Sequence, residues 1–276
     1  AHHQYHWNGS WDWDEVSTPI LMPVERSGRE INALVHPGRN GYLWTLERSA
    51  DAIGFIDAEP FVYQNAFASI HPETGRPSYD PEHKPVTGSQ TSFCPSLWGG
   101  KDWPPAAYNP ETGLLYIPAN DNHCGSIEGR EVIYMPGSSY TGARTQMTVP
   151  EPAEHIGEIQ AWDMNTGEEV WTREFESHNW GGILTTSGNL VFSGGTSDRF
   201  FRAHDASTGE ELWRFRTNSG IIGVPSSFSV DGRQYVAVQS GWGVDAASMT
   251  ARIDQQRGTR TFVPQGGVIW VFALPE

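Results

Sequence analysis

Residues 159–175 read IQAWDMNTGEEVWTREF, and residues 201–217 read FRAHDASTGEELWRFRT. Asp163 and Asp205, Thr166 and Thr208, Gly167 and Gly209, and Trp171 and Trp213 all stand 42 residues apart. The shared pattern is a strand, a D-x-x-T-G turn and a second strand that starts near a tryptophan. In such a turn Asp caps the backbone amides and Gly takes the positive φ that closes it. The tryptophan is large enough to dock on a neighbouring sheet. A period of about 40–45 residues made of short strands is the mark of β-propeller blades. Weaker echoes are Asn109-Pro110-Glu111-Thr112-Gly113 and His71-Pro72-Glu73-Thr74-Gly75. Strand-like runs include EINALV, GLLYIPA, NLVFSGG, RQYVAVQ and GVIWVFAL. The length holds about six such periods. Long loops expected over 76–106 and 125–156 reduce this to about four or five blades. No long amphipathic helix pattern is visible. The expectation is an all-β chain, with 1–276 as a single partial propeller domain.

Composition narrows the function classes. The net charge is −15, with 33 acidic and 18 basic residues. That excludes a nucleic-acid partner, which needs a basic footprint, and suits a cation or a basic protein partner. No run approaches the roughly 18 apolar residues of a membrane span. No signal peptide is visible, and the chain opens Ala1-His2-His3 without Met, as expected of a processed or excised product. His2, His3 and His6 are transition-metal ligand types, but an exposed terminus or tag remnant is the expected reading. The two cysteines, Cys94 and Cys124, fit either one bridge or two buried thiols.

The stretch NGSWDWDEV, residues 8–16, alternates two carboxylates with two indoles. If it is extended, Asp12 and Asp14 point to one side and the Trp rings to the other. Converging carboxylates repel unless a positive group lies between them, and a hard multivalent cation supplies one. The alternative is a solvated or turn-capping Asp14. A glycosidase pair fits poorly, because its carboxyls flank a bond about 5 Å or more apart.

At this point the residues resemble a known family. The D-x-x-T-G-x-x-x-W signature resembles the tryptophan-docking motif of quinoprotein propellers. SWDWDEVSTPIL (10–21) and VHPGRNGYLWTLER (35–48) resemble the active-site region of pyrroloquinoline quinone (PQQ)-dependent methanol and ethanol dehydrogenases. FCPSLWGGKDWPPAAYNP (93–110), HNWGGIL (178–184) and SGIIGVPSSF (219–228) follow in the family's order. Members are usually about twice this length, with eight blades. The chain resembles the C-terminal half, about half of an eight-bladed propeller, completed by an N-terminal half or second chain. The adjacent cysteine pair, the metal-ligating Glu and Asn and the floor Trp of the other half have no counterpart here.

The resemblance implies oxidation of a small primary alcohol to an aldehyde. Asp12 is the implied general base, and hydride passes from the alcohol carbon to C5 of PQQ. A metal held by Asp12 and Asp14 polarises the C5 carbonyl. The second Asp resembles the lanthanide-using branch, which favours La or Ce over Ca²⁺. Arg39 is implied to hydrogen-bond the quinone oxygens and stabilise developing charge, although G-R-N-G is also good turn chemistry. Lys101, Asp102, Trp103 and Trp180 are implied cofactor neighbours. Asp102 stands where members often have Asn, and a carboxylate there repels an acidic cofactor. Trp242 is a candidate wall of the substrate pocket. Cys94 and Cys124 lie where the family has a structural disulfide, which implies a periplasmic protein. No haem-attachment motif occurs, so a soluble cytochrome c-type carrier is the implied electron acceptor. The alternative is a non-catalytic propeller scaffold, like outer-membrane assembly lipoproteins with the same Trp motif. A scaffold has no reason to keep Asp12, Asp14, Arg39 and the G-G-K-x-W loop together, which favours the enzyme.

Overall fold

The computed structural model describes residues 1–138, 141–150 and 153–274. The first sheet is four strands in sequence order: β1 (Ile20–Arg26), β2 (Arg29–Pro37), β3 (Tyr42–Arg48) and β4 (Ile53–Pro60). A short hairpin, β5 (Phe67–Ile70) and β6 (Pro77–Tyr79), follows, then β7 (Gln90–Phe93), β8 (Ala107–Asn109) and β9 (Leu114–Asn120). Next come β10 (Cys124–Gly129), β11 (Ala143–Thr148), β12 (Gly157–Asp163) and β13 (Glu168–Phe175). The second repeat supplies β14 (Leu184–Thr186), β15 (Leu190–Ser193), β16 (Phe200–Asp205) and β17 (Glu211–Arg216). β18 (Ser226–Val230), β19 (Arg233–Ser240), α1 (Val244–Arg257) and β20 (Val268–Ala273) close the list of elements. Further four-stranded sheets run β13-β12-β9-β8 and β14-β15-β16-β17, and three-stranded ones β11-β10-β7 and β18-β19-β20. These antiparallel sheets, mostly of adjacent strands, are β-propeller blades.

The repeat is a physical unit. In both copies the Asp side chain accepts from turn amides: Asn165 N–H at 2.8 Å on Asp163, and Ser207 and Thr208 N–H at 2.9 Å on Asp205. Gly167 and Gly209 sit at φ +74° and +70°, and each donates to its Asp carbonyl at 2.8 Å. A β-bulge falls at the same place in both, between Ala161 and Trp162 and between Ala203 and His204. The weaker echoes fold into the same turn. Asn109 Oδ1 and His71 Nδ1 take over the Asp oxygen's role, and Gly113 and Gly75 close the turns. Trp171 docks on the following turn. Its indole N–H reaches Ala206 O at 3.0 Å, and its ring lies where a Cβ on Gly209 would be 2.6 Å away.

Two compact units emerge. One comprises Ala1–Pro23, Glu30–Asp102 and Asp121–Ala153, and the other Val24–Arg29, Trp103–Asn120 and Glu154–Glu276. The first has an aromatic core of Trp11, Trp13, Tyr42, Trp44, Phe67 and Phe93. The second packs Leu114, Tyr116, Ile159, Val191 and Trp171 in one cluster and Phe201, Ile221, Val236 and Val238 in another. Burial of such side chains contributes roughly 1.5–3 kcal/mol each.

Three expectations are corrected. The chain does contain a helix, α1, whose buried face is Ala246, Met249, Thr250 and Ile253. The spacing is helical, but Ala and Thr make the stripe too weakly apolar to read. The stretch expected as a loop over 125–156 holds most of the β10–β11 hairpin. His3 and His6 are not an exposed tag: His6 packs against Trp11, Trp13 and Phe67, and His3 against Tyr5, Trp44 and Phe55.

Candidate active site

Asp12, Asp14, Arg39, Lys101 and Asp102 come together in the first unit. The segment 8–16 is not extended throughout, because Asp12 stands at φ +69°. The alternation nevertheless holds. Trp11 and Trp13 are buried in the core, and the Asp12 and Asp14 side chains are each 67% exposed. Trp11 Nε1 donates to His83 O and Trp13 Nε1 to Ser96 O, both at 2.9 Å. Lys84 lies over the Trp11 ring at 4.2 Å, a cation–π contact that helps hold the segment down.

The positive group facing both aspartates is Arg39. Its Nη1 donates to Asp14 Oδ1 at 2.7 Å. Its Nη2 donates to Leu97 O at 2.6 Å and lies 3.6 Å from Asp12 Oδ2 and 3.5 Å from Asp102 Oδ2. Arg39 is 7% exposed, so it is no turn arginine in water. It sits between β2 and β3, where Gly38 N–H bonds Tyr42 O and Gly41 stands at φ +87°. The G-G-K-D loop packs on its main chain. A Cβ on Gly99 would lie 2.7 Å from both Arg39 Cα and Cβ, and Gly100 N–H bonds Arg39 O at 3.0 Å.

Lys101 is 1% exposed, and its Nζ donates to Asp102 O at 2.9 Å. Burial pushes the ammonium down to about 7, with Glu15 and then Asp102 pulling the other way. Sequence reasoning missed Glu15 and His36. Glu15 Oε2 accepts from His36 Nε2 at 2.8 Å and from Arg39 N–H at 3.1 Å. A third acidic residue in W-D-W-D-E was the available signal. Cys94 and Cys124 form a disulfide, and Ser96 Oγ bonds His123 Nδ1 at 2.7 Å beside it.

The tryptophans lie in the second unit. Trp103 and Trp180 meet edge to face at 6.4 Å. Trp103 and Trp242 line a cavity of about 490 Å³ with Ile222, Val224, Gln239 and Gly266. Trp242 is buried, and a Cβ on Gly220 would overlap its ring. Trp180 N–H bonds Gly195 O at 2.8 Å.

Comparison with known proteins shows what the chain resembles. Residues 172–236 match the PQQ model described as glucose/ethanol/alcohol dehydrogenase, beta-propeller domain. The chain is 36% identical over 272 residues to quinoprotein alcohol dehydrogenase PedH of Pseudomonas putida, covering 96% of this chain and 44% of that protein. The chain is similar, over nearly all of its length, to quinoprotein alcohol dehydrogenases. The lanthanide-dependent methanol dehydrogenase of Methylacidiphilum fumariolicum is 37% identical over 284 residues, covering 96% of this chain and 46% of that protein. The solved structure of a europium-containing methanol dehydrogenase superposes with a TM-score of 0.83 at 36% identity, covering 96% of this chain and 48% of that one. The chain thus spans about half the length of the quinoproteins it matches, a share that fits their C-terminal half.

Arg39 suits an anionic or carbonyl ligand, and the two exposed aspartates suit a cation. Arg39 Nε is buried and has no acceptor among the described residues, so a donor is free for an anionic or carbonyl oxygen. The exposed oxygens of Asp12 and Asp14 suit a hard cation. The three Asp carboxylates outnumber the guanidinium they surround, which leaves excess negative charge. Among the described residues no group of three or more His, Cys, Asp and Glu forms a metal cluster.

Proposed function

We propose that the protein to which this chain contributes oxidises a small primary alcohol to the aldehyde, using PQQ and one multivalent cation. The observation that carries the reading is Arg39, buried among Asp12, Asp14 and Asp102 with its Nε–H unpaired among the described residues. When bound, PQQ would supply the two-electron hydride acceptor and the cation a Lewis acid. Arg39 would donate a hydrogen bond from Nε to an oxygen of the bound quinone. Asp12 takes the hydroxyl proton at its exposed carboxylate as the carbon gives up hydride. Asp12 and Asp14 hold the cation, and a lanthanide is favoured over Ca²⁺ because a trivalent ion needs more ligand charge. Lys101, Asp102, Trp103 and Trp180 line the cofactor, with Trp242 at the substrate wall. Residues 1–276 are read as one partial propeller domain, active with a complementary N-terminal half or second chain.

The disulfide supports a periplasmic setting. The net charge of −15 suits a basic cytochrome c-type acceptor. Native mass spectrometry of the complete protein tests the reading. A complex carrying PQQ and one lanthanide or calcium ion, with alcohol-dependent dye reduction, is expected. A cofactor-free protein inactive after addition of PQQ and La³⁺ or Ca²⁺ overturns it.

A further inference from the structure

We propose that Glu15 is a positioning residue for Arg39, gripping its main chain while its neighbour Asp14 grips the guanidinium. The inference rests on the reading of Arg39 as the residue that meets the quinone. An arginine side chain has several rotatable bonds, so fixing its head alone leaves the loop beneath free to drift. Asp14 Oδ1 fixes the head through Nη1 at 2.7 Å. Glu15 Oε2 fixes the root through Arg39 N–H at 3.1 Å. The same oxygen takes His36 Nε2 at 2.8 Å, which ties the end of β2 to the loop residue. Tyr5 stacks on the His36 ring at 5.0 Å and 18°, holding the imidazole against the carboxylate. Gly38 leaves room for it, since a Cβ there would lie 2.9 Å from Glu15 Oε1. That second oxygen is buried with no hydrogen-bond partner among the described residues. The carboxylate is therefore held in place by the two bonds on Oε2, which both serve the Arg39 loop.

Glu15→Ala removes the acceptor and leaves two donors buried. Glu15→Gln keeps a carbonyl oxygen with two lone pairs at the same reach. Both are made in the complete protein, alone and with Arg39→Leu. PQQ affinity is read by tryptophan fluorescence quenching, turnover by dye reduction, and the Arg39 amide by hydrogen exchange. Glu15→Ala is expected to weaken PQQ binding about tenfold and to speed Arg39 amide exchange. Glu15→Gln is expected to return PQQ affinity to within about threefold of the parent. In the Arg39→Leu background Glu15→Ala is expected to change PQQ affinity little further, because the group it positions is gone. Equal losses in both backgrounds, or parental PQQ affinity in Glu15→Ala, overturn the proposal. If the parent protein does not bind PQQ, the functional reading fails, yet amide exchange still decides the clamp: faster exchange in Glu15→Ala supports it, and unchanged exchange overturns it.

Discussion

The rings of Trp11 and Trp13 stack 5.0 Å apart and 14° from parallel, and Asp12 between them is turned outward at φ +69°. Two indoles fixed to separate carbonyls leave the intervening residue little choice of backbone. Left-handed backbone is tolerated by Asn and Asp far better than by β-branched residues. Asp12→Asn is therefore expected to keep stability within about 0.5 kcal/mol while turnover falls by about 100-fold or more. Asp12→Val is expected to cost about 1–3 kcal/mol through backbone strain. Denaturant titration and alcohol turnover on the same preparations check both.

Gly99 stands at φ +73° with Arg39 pressed against it. Gly99→Ala is expected to destabilise the first unit by about 2 kcal/mol or more, from strain and backbone overlap together. Thermal unfolding measures the loss, and reduced PQQ affinity is expected beside it. An unchanged midpoint would show that the G-G-K-D loop can move off Arg39.

Asp14 has one oxygen on Arg39 and a largely exposed carboxylate. Asp14→Ala is expected to lower turnover with La³⁺ by about 10–100-fold and turnover with Ca²⁺ less, the shared part being the lost hold on Arg39. Reconstitution of metal-stripped protein with each ion reads the difference. Equal loss with both ions assigns Asp14 to Arg39 alone.

His204 is buried, with Nδ1 on Gly209 O and Nε2 without a partner among the described residues. Burial pushes it down to about 4 from its ordinary 6.5. The native state favours the neutral ring, so the unfolded chain takes the proton first. The stability it contributes is complete above about pH 6.5 and falls away as the pH drops toward about 4, by about 3 kcal/mol in all. His204→Leu is expected to flatten stability across that window, measured by urea midpoints at stepped pH.

Much of the fold is legible in the chain, because its strands alternate and its turns use residues with one physical purpose. The run EINALV buries Ile31, Ala33 and Val35 on β2, and the D-x-x-T-G turns form at the positions the repeat gives. The helix was hidden by its small residues. The gathering of Asp12, Asp14, Arg39 and Asp102 was not available from spacing, since it depends on a long-range approach of loop to loop. Glu15 and His36 escaped for the same reason: a pair 21 residues apart leaves no periodic trace. The extended reading of 8–16 missed Asp12's backbone, because propensity does not foresee two anchored indoles.

Trp171 completes its own repeat on the glycine of the next, whereas Trp213, its equivalent, remains 39% exposed beside Phe272 at 5.2 Å. The fastening between repeats thus has a direction, with the key on one unit and the lock on its successor. The order of the two repeats along the chain therefore matters, since Trp171 meets the turn of the copy that follows it. A cut inside a period separates a tryptophan from the turn that received it and leaves an indole facing water.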